Sequence, residues 1–207
     1  MNEHVITSVS ALRECLSEPS AMVQAKLLTK LDHHMRAFIA LSPWVDVASR
    51  GADGSVDVSP RGDPPGFVHV LDDGSLLIPE RPGNRRADTL RNIIETGAVG
   101  LSFAIPGRDE LLRVNGTAVV SRQPDWLARL AHADKTPQFA IHVQVQEAFL
   151  HCGRAINRAR LWKTDSWPAQ DALASMAQML VDQTALPGLE VAALDSMFKT
   201  LVTQELY

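Results

Sequence analysis

The chain has 207 residues, 45% hydrophobic and 21% charged, which is ordinary globular composition at the length of one domain. A net charge of −4 supplies no global basic field for nucleic acid, and two cysteines, Cys15 and Cys152, supply no disulfide framework or cysteine-rich zinc site. No apolar run approaches the ~18 residues that cross a bilayer, and MNEHVITSVSALRECL lacks the basic and apolar regions of a secretory signal. A soluble cytoplasmic protein with no membrane or nucleic-acid partner is expected.

Residues 7 to 31 read as helical, with Ser10 capping one segment and Pro19-Ser20 opening a second that carries Met22, Leu27, Leu28 and Leu31. AFIALSPWVDVAS then reads as extended, GADGS as a turn, and VDVS as a strand leading into the Pro/Gly-rich loop RGDPPG. FVHVLDDGSLLIPE predicts two short strands around Asp72-Asp73-Gly74-Ser75, where Gly74 accepts the positive φ of a tight turn. The strand before the Arg61 to Gly66 loop is expected to pair, through this hairpin, with the strand ending at Glu80.

Residues 87 to 95 predict a short helix, AVGLSFAIP and ELLRVNGTAVVS two strands, and DWLARLAHA a second short helix. IHVQVQEAFLHC alternates as a strand, its end equally compatible with a helix, and amphipathic helices are expected over 168–183 and 189–205. Strands at hairpin spacing, flanked by helices and never alternating βαβα, point to an α+β fold. The best match is a small antiparallel barrel with peripheral helices and helical terminal segments. One domain spans 1–207, with a barrel core over about 35–165 and C-terminal helices over 166–207.

Local charge departs from the total. Arg81, Arg85, Arg86 and Arg91 lie close in sequence, as do Arg154, Arg158 and Arg160, which suits a small anionic ligand or, as often, a solvated face. In Ser59-Pro60-Arg61-Gly62-Asp63 a backbone free to approach a ligand joins the planar donor fork of Arg61 to the acceptor Asp63. A plain surface turn has the same composition. In Pro79-Glu80-Arg81-Pro82-Gly83-Asn84-Arg85-Arg86 a strand ends, a Pro-Gly loop follows, and two arginines stand at a helix mouth. Helix N-termini carry free N–H groups and partial positive charge, so such a pair suits a phosphate dianion. Alternatively, the arginines pair with Asp72, Asp88 or Glu95.

This strand–loop–Arg-Arg–helix unit, with SPRGD before it and HCGRAINRARLW after the last strand, resembles the flavin-phosphate region of the pyridoxamine phosphate oxidase-like split-barrel family. The resemblance covers about residues 35 to 165. It implies bound FMN, with Asn84, Arg85 and Arg86 at the phosphate and Ser59, Arg61, Gly62, Asp63, Pro79, Arg81 and Arg113 also near the cofactor. It further implies a homodimer with the flavin site at the subunit interface, where Arg154 or Arg158 reaches the partner's flavin. Arg61 beside the ring system would raise its reduction potential. An oxidoreductase of unknown substrate is expected, exchanging electrons with a small-molecule donor or acceptor. The alternatives are a non-enzymatic flavin binder or sensor, or a haem or deazaflavin binder with His69 or His151 as axial ligand.

No residue stands out as a catalytic acid or base. Cys152 is a thiol near the flavin or, as for most free cysteines, a buried inert one. His33, His34, His132, His142 and His151 show no metal-ligand spacing, and neither GxSxG nor GxGxxG occurs.

Overall fold

In the computed structural model, which describes residues 4–184, 186–204 and 206–207, seven strands form one antiparallel sheet. The strands are β1 (Trp44–Arg50), β2 (Val56–Gly62), β3 (His69–Val70), β4 (Leu76–Glu80), β5 (Ala98–Ala104), β6 (Leu111–Ser121) and β7 (Phe139–His151). They run in the order β2-β1-β5-β6-β7-β4-β3, curled into a split barrel. Strict alternation turns Val45, Val47, Leu101, Phe103, Leu112 and Val114 into one buried face, where each is almost wholly covered.

The helices are α1 (Val9–Cys15), α2 (Ala21–Ala25), α3 (His33–Leu41), α4 (Asp88–Thr96), α5 (Pro124–Arg129), α6 (Arg154–Ala159), α7 (Met176–Thr184) and α8 (Val191–Gln204). α3 adds Met35, Phe38 and Ile39 to the main core, and α4 adds Ile93. On the other face, Trp126, Leu127 and Leu130, in and just after α5, cover Leu77 and Ala140. Leu76, Ile78 and Glu80 therefore face inward on β4 while Leu77 faces α5. No helix among the described residues is long and apolar enough to cross a membrane.

Several expectations are corrected. AFIAL is helical, because Asp32 accepts the Met35 N–H at 2.8 Å and starts a helix whose buried residues recur at helical spacing. α1 is capped by Ser8, two residues before Ser10. α2 stops at Ala25, and Leu28 instead exchanges two backbone hydrogen bonds with Ala148, where β7 has run past the end of β4. Arg61 and Gly62 continue the strand instead of opening the loop, and Pro60 is tolerated within it because β2 is an edge strand. Over 168–183 only α7 is α-helical, since Ser175 accepts the Gln178 N–H and sets the start there.

The largest correction concerns pairing. The hairpin forms as expected, with His69 opposite Leu77 and Val70 opposite Leu76. β2, however, pairs only with β1, and β4 pairs with β3 and β7. Their loops come together through closure of the curled sheet, not as neighbouring strands.

Candidate functional site

Alternation along β2 sends Asp57, Ser59 and Arg61 inward, opposite Ser49, Val47 and Val45 of β1. Alternation along β4 does the same for Glu80. The two strand ends meet across the open seam of the barrel, where Arg61 Nη2 lies 3.0 Å from Glu80 Oε2. One residue beyond Glu80 and two beyond Arg61, Arg81 Nε donates to Asp63 Oδ2 at 2.7 Å. The Asp63 side chain is only 1% exposed, so loss of this partner would leave a buried polar group short of a hydrogen bond. Two ion pairs therefore rivet the seam.

Beside them lies a cleft of about 540 Å³, a volume within the usual range for cofactor sites. It is lined by Ser59 to Asp63, Phe67, Pro79, Arg81 to Asn84, Leu206 and Tyr207. Seven residues proposed from sequence share it: Ser59, Arg61, Gly62, Asp63, Pro79, Arg81 and Asn84. Burial pushes the Glu80 carboxyl up, and Arg61 opposes that shift. Their contact is an ion pair without hydrogen-bond alignment, leaving Arg61 Nε and Glu80 Oε2 buried and unsatisfied. A buried guanidinium N–H without an acceptor is costly in a folded chain. A ligand carbonyl or phosphate oxygen would satisfy it.

Arg85 and Arg86 follow Asn84 but do not line the cleft. The Asn84 side chain accepts the Arg86 N–H at 3.0 Å, shaping the turn, and Arg85 and Ala87 both take positive φ. Arg86 is paired with Asp88 at 2.7 Å, the ion-pair alternative read from sequence, whereas Arg85 has no ion-pair partner among the described residues. α4 begins without a side-chain cap, so its first N–H groups stay available.

The remaining candidates lie elsewhere. Arg113 is on the outer face of β6, its guanidinium 5.2 Å from the Phe149 ring. Arg154 and Arg158 are exposed on α6. Cys152 is exposed, not buried, and the Arg154 backbone N–H draws its thiol below the usual range. His69 lines a second, shallower cleft with Arg36 and Arg129, and burial followed by the charge of Arg129 lowers its pKa. His151 contacts the Cys152 carbonyl through Nδ1. Among the described residues no three His, Cys, Asp or Glu side chains gather as a metal site.

Tyr207 and Leu206 were missed. Tyr207 Oη donates to Asp63 Oδ1 at 2.5 Å, and Arg81 Cζ lies 5.4 Å from the centre of its ring. That bond to Asp63 is the main reason its phenol is held above the usual tyrosine range. No local pattern around Tyr207 signals this, because the contact spans 144 positions.

The site is thus a seam-side cleft on a split barrel, lined by Arg61, Arg81 and Asp63. The pyridoxamine 5′-phosphate oxidase family model matches residues 31–152, more than half of the chain, and the chain belongs to that family. Its fold is also like that of HupZ of Group A Streptococcus, at 18% identity and a TM-score of 0.48 over 58% of this chain and 93% of that one. A Lactobacillus delbrueckii protein described as a candidate pyridoxamine 5′-phosphate oxidase is 25% identical, with a TM-score of 0.46 over 59% and 95% of the two chains. HutZ, the haem storage protein of Vibrio cholerae, is 14% identical, with a TM-score of 0.42 over 59% and 94%. No curated protein matches the sequence.

Proposed function

We propose that this chain is an FMN-binding flavoprotein and acts as an oxidoreductase on a small-molecule substrate. The observation that carries the reading is the buried, unsatisfied Arg61 Nε beside a cleft that gathers seven cofactor candidates. Arg61 and Arg81 would take the polar edge of the ring system, and Ser59, Gly62 and Pro79 its flank. Asn84 and Arg85, with the uncapped start of α4, would hold the phosphate, and Arg86 would join them by leaving Asp88. Arg86 is exposed, so exchanging one partner for another costs little. When bound, FMN supplies hydride or single-electron transfer, while this chain's residues orient it and keep water from one face.

The family membership supports FMN, since the family takes its name from an oxidase acting on a phosphorylated amine. A homodimer is part of the same reading, with Arg113, Arg154 and Arg158 reaching a partner's cofactor. Trp44, Val56 and Val58 leave apolar surface exposed on the outer face of β1 and β2, as an uncovered interface would. Light scattering should give twice the 22.6 kDa of one chain, and a 22.6 kDa particle that retains FMN would end the shared-site part. The proposed compartment is the cytoplasm, where the exposed thiols Cys15 and Cys152 stay reduced. Comparing FMN with riboflavin binding tests the cofactor itself.

A further inference from the structure

The chain carries one tyrosine, Tyr207. Its side chain lines the seam cleft and engages polar groups that a ring-bearing ligand would need. The hydroxyl holds one oxygen of Asp63, while Arg81 holds the other and lies against the ring. The His132 ring is 4.8 Å away, and Lys135 Nζ donates to the Tyr207 main-chain oxygen at 2.5 Å.

We propose that Tyr207 is a displaceable occupant of the cleft, holding Asp63 and Arg81 until a flat aromatic ligand takes its place. The ligand class follows from the occupant: a ring that lies against a guanidinium and offers an N–H or O–H donor to a buried carboxylate. The proposal rests on the reading that FMN enters this cleft.

Displacement is physically accessible. α8, which carries the chain to Tyr207, has no buried residue among those described, so little core packing resists its movement. The anchoring contacts are few, and the Lys135 contact is exposed. FMN would gain contacts at Asn84 and Arg85 that Tyr207 does not occupy, so the phosphate tips the exchange. Riboflavin, lacking it, competes less well.

Because there is one tyrosine, 3-fluorotyrosine incorporation yields a single protein ¹⁹F resonance from the full chain. Titrating the labelled protein with FMN should move that resonance toward free fluorotyrosine and narrow it. Unlabelled Tyr207→Ala should bind FMN more tightly, on the order of tenfold, the loss of one charge-assisted competitor. Tyr207→Phe, which keeps the ring but not the hydroxyl, should fall between the two. FMN binding that leaves the resonance unmoved, or is weakened by Tyr207→Ala, overturns the proposal and leaves the cofactor reading standing. Failure of both wild type and Tyr207→Ala to bind FMN overturns the cofactor reading and the proposal with it.

Discussion

Arg61 and Glu80 stand at the ends of strands separated by four others in the sheet, yet their side chains meet at 3.0 Å. Both face inward, and only the curl of the sheet brings them together. The cleft exists because the barrel closes there, so the stability of the seam and the shape of the site are linked.

Glu80→Ala should therefore destabilise the fold more than an exposed ion pair would. The Arg61 and Glu80 side chains are 16% and 19% exposed, and a stranded, mostly buried guanidinium costs about 3 kcal/mol. The double substitution Arg61→Met with Glu80→Leu should cost less than the single one. Urea unfolding measures both; a single-variant loss within experimental error would show that the pair does not brace the seam.

Gly116 sits at a register shift where β7 carries one extra residue, Gln146, against β6. A Cβ there would lie 2.1 Å from the Gln144 carbonyl oxygen, which is backbone and cannot turn aside. Gly116→Ala should cost about 3 kcal/mol or more, as for overpacked cores. Chemical denaturation checks this, and a loss below about 1 kcal/mol would mean that the bulge relaxes freely.

His142 packs 4.6 Å from the Trp126 ring and hydrogen-bonds Ser75, and burial holds its pKa below 6.5, with Asp73 pulling back. With the folded pKa depressed, the neutral ring's contribution is complete above about 6.5. It is lost as pH falls below that value, because the unfolded chain protonates first. His69 acts in the same direction. Glu80 acts oppositely: with its folded pKa raised, its burial penalty is relieved as pH falls through that pKa. Urea midpoints at pH 7.5 and 5.5 should therefore fall for the wild type, and fall less for His142→Gln. An equal fall in both proteins would contradict the role given to His142.

The strands and the α+β class were legible because period-2 alternation is local, as in AVGLSFAIP and ELLRVNGTAVVS. Asn84, Arg81 and the SPRGD residues were found through turn chemistry and charge, which are local too. α3 was overlooked because AFIAL is apolar enough for either element, and its deciding cap, Asp32, stands outside that run. The pairing of β2 with β1, the seam ion pairs and the docking of Tyr207 were not legible. Each depends on contacts set by sheet closure, for which a single sequence carries no nearby signal.

The proposed function requires that the seam cleft and the Asn84-Arg85-Arg86 turn together bind FMN. Titration calorimetry with FMN and riboflavin, on wild type and on Arg85→Ala with Arg86→Ala, tests it most directly. About one FMN should bind per subunit, more tightly than riboflavin. The double substitution should abolish most of that preference, since each charge-assisted phosphate contact contributes ~1.5–3 kcal/mol, while riboflavin affinity changes little. Equal affinity of the wild type for both ligands, or equal losses for both in the variant, would contradict the account.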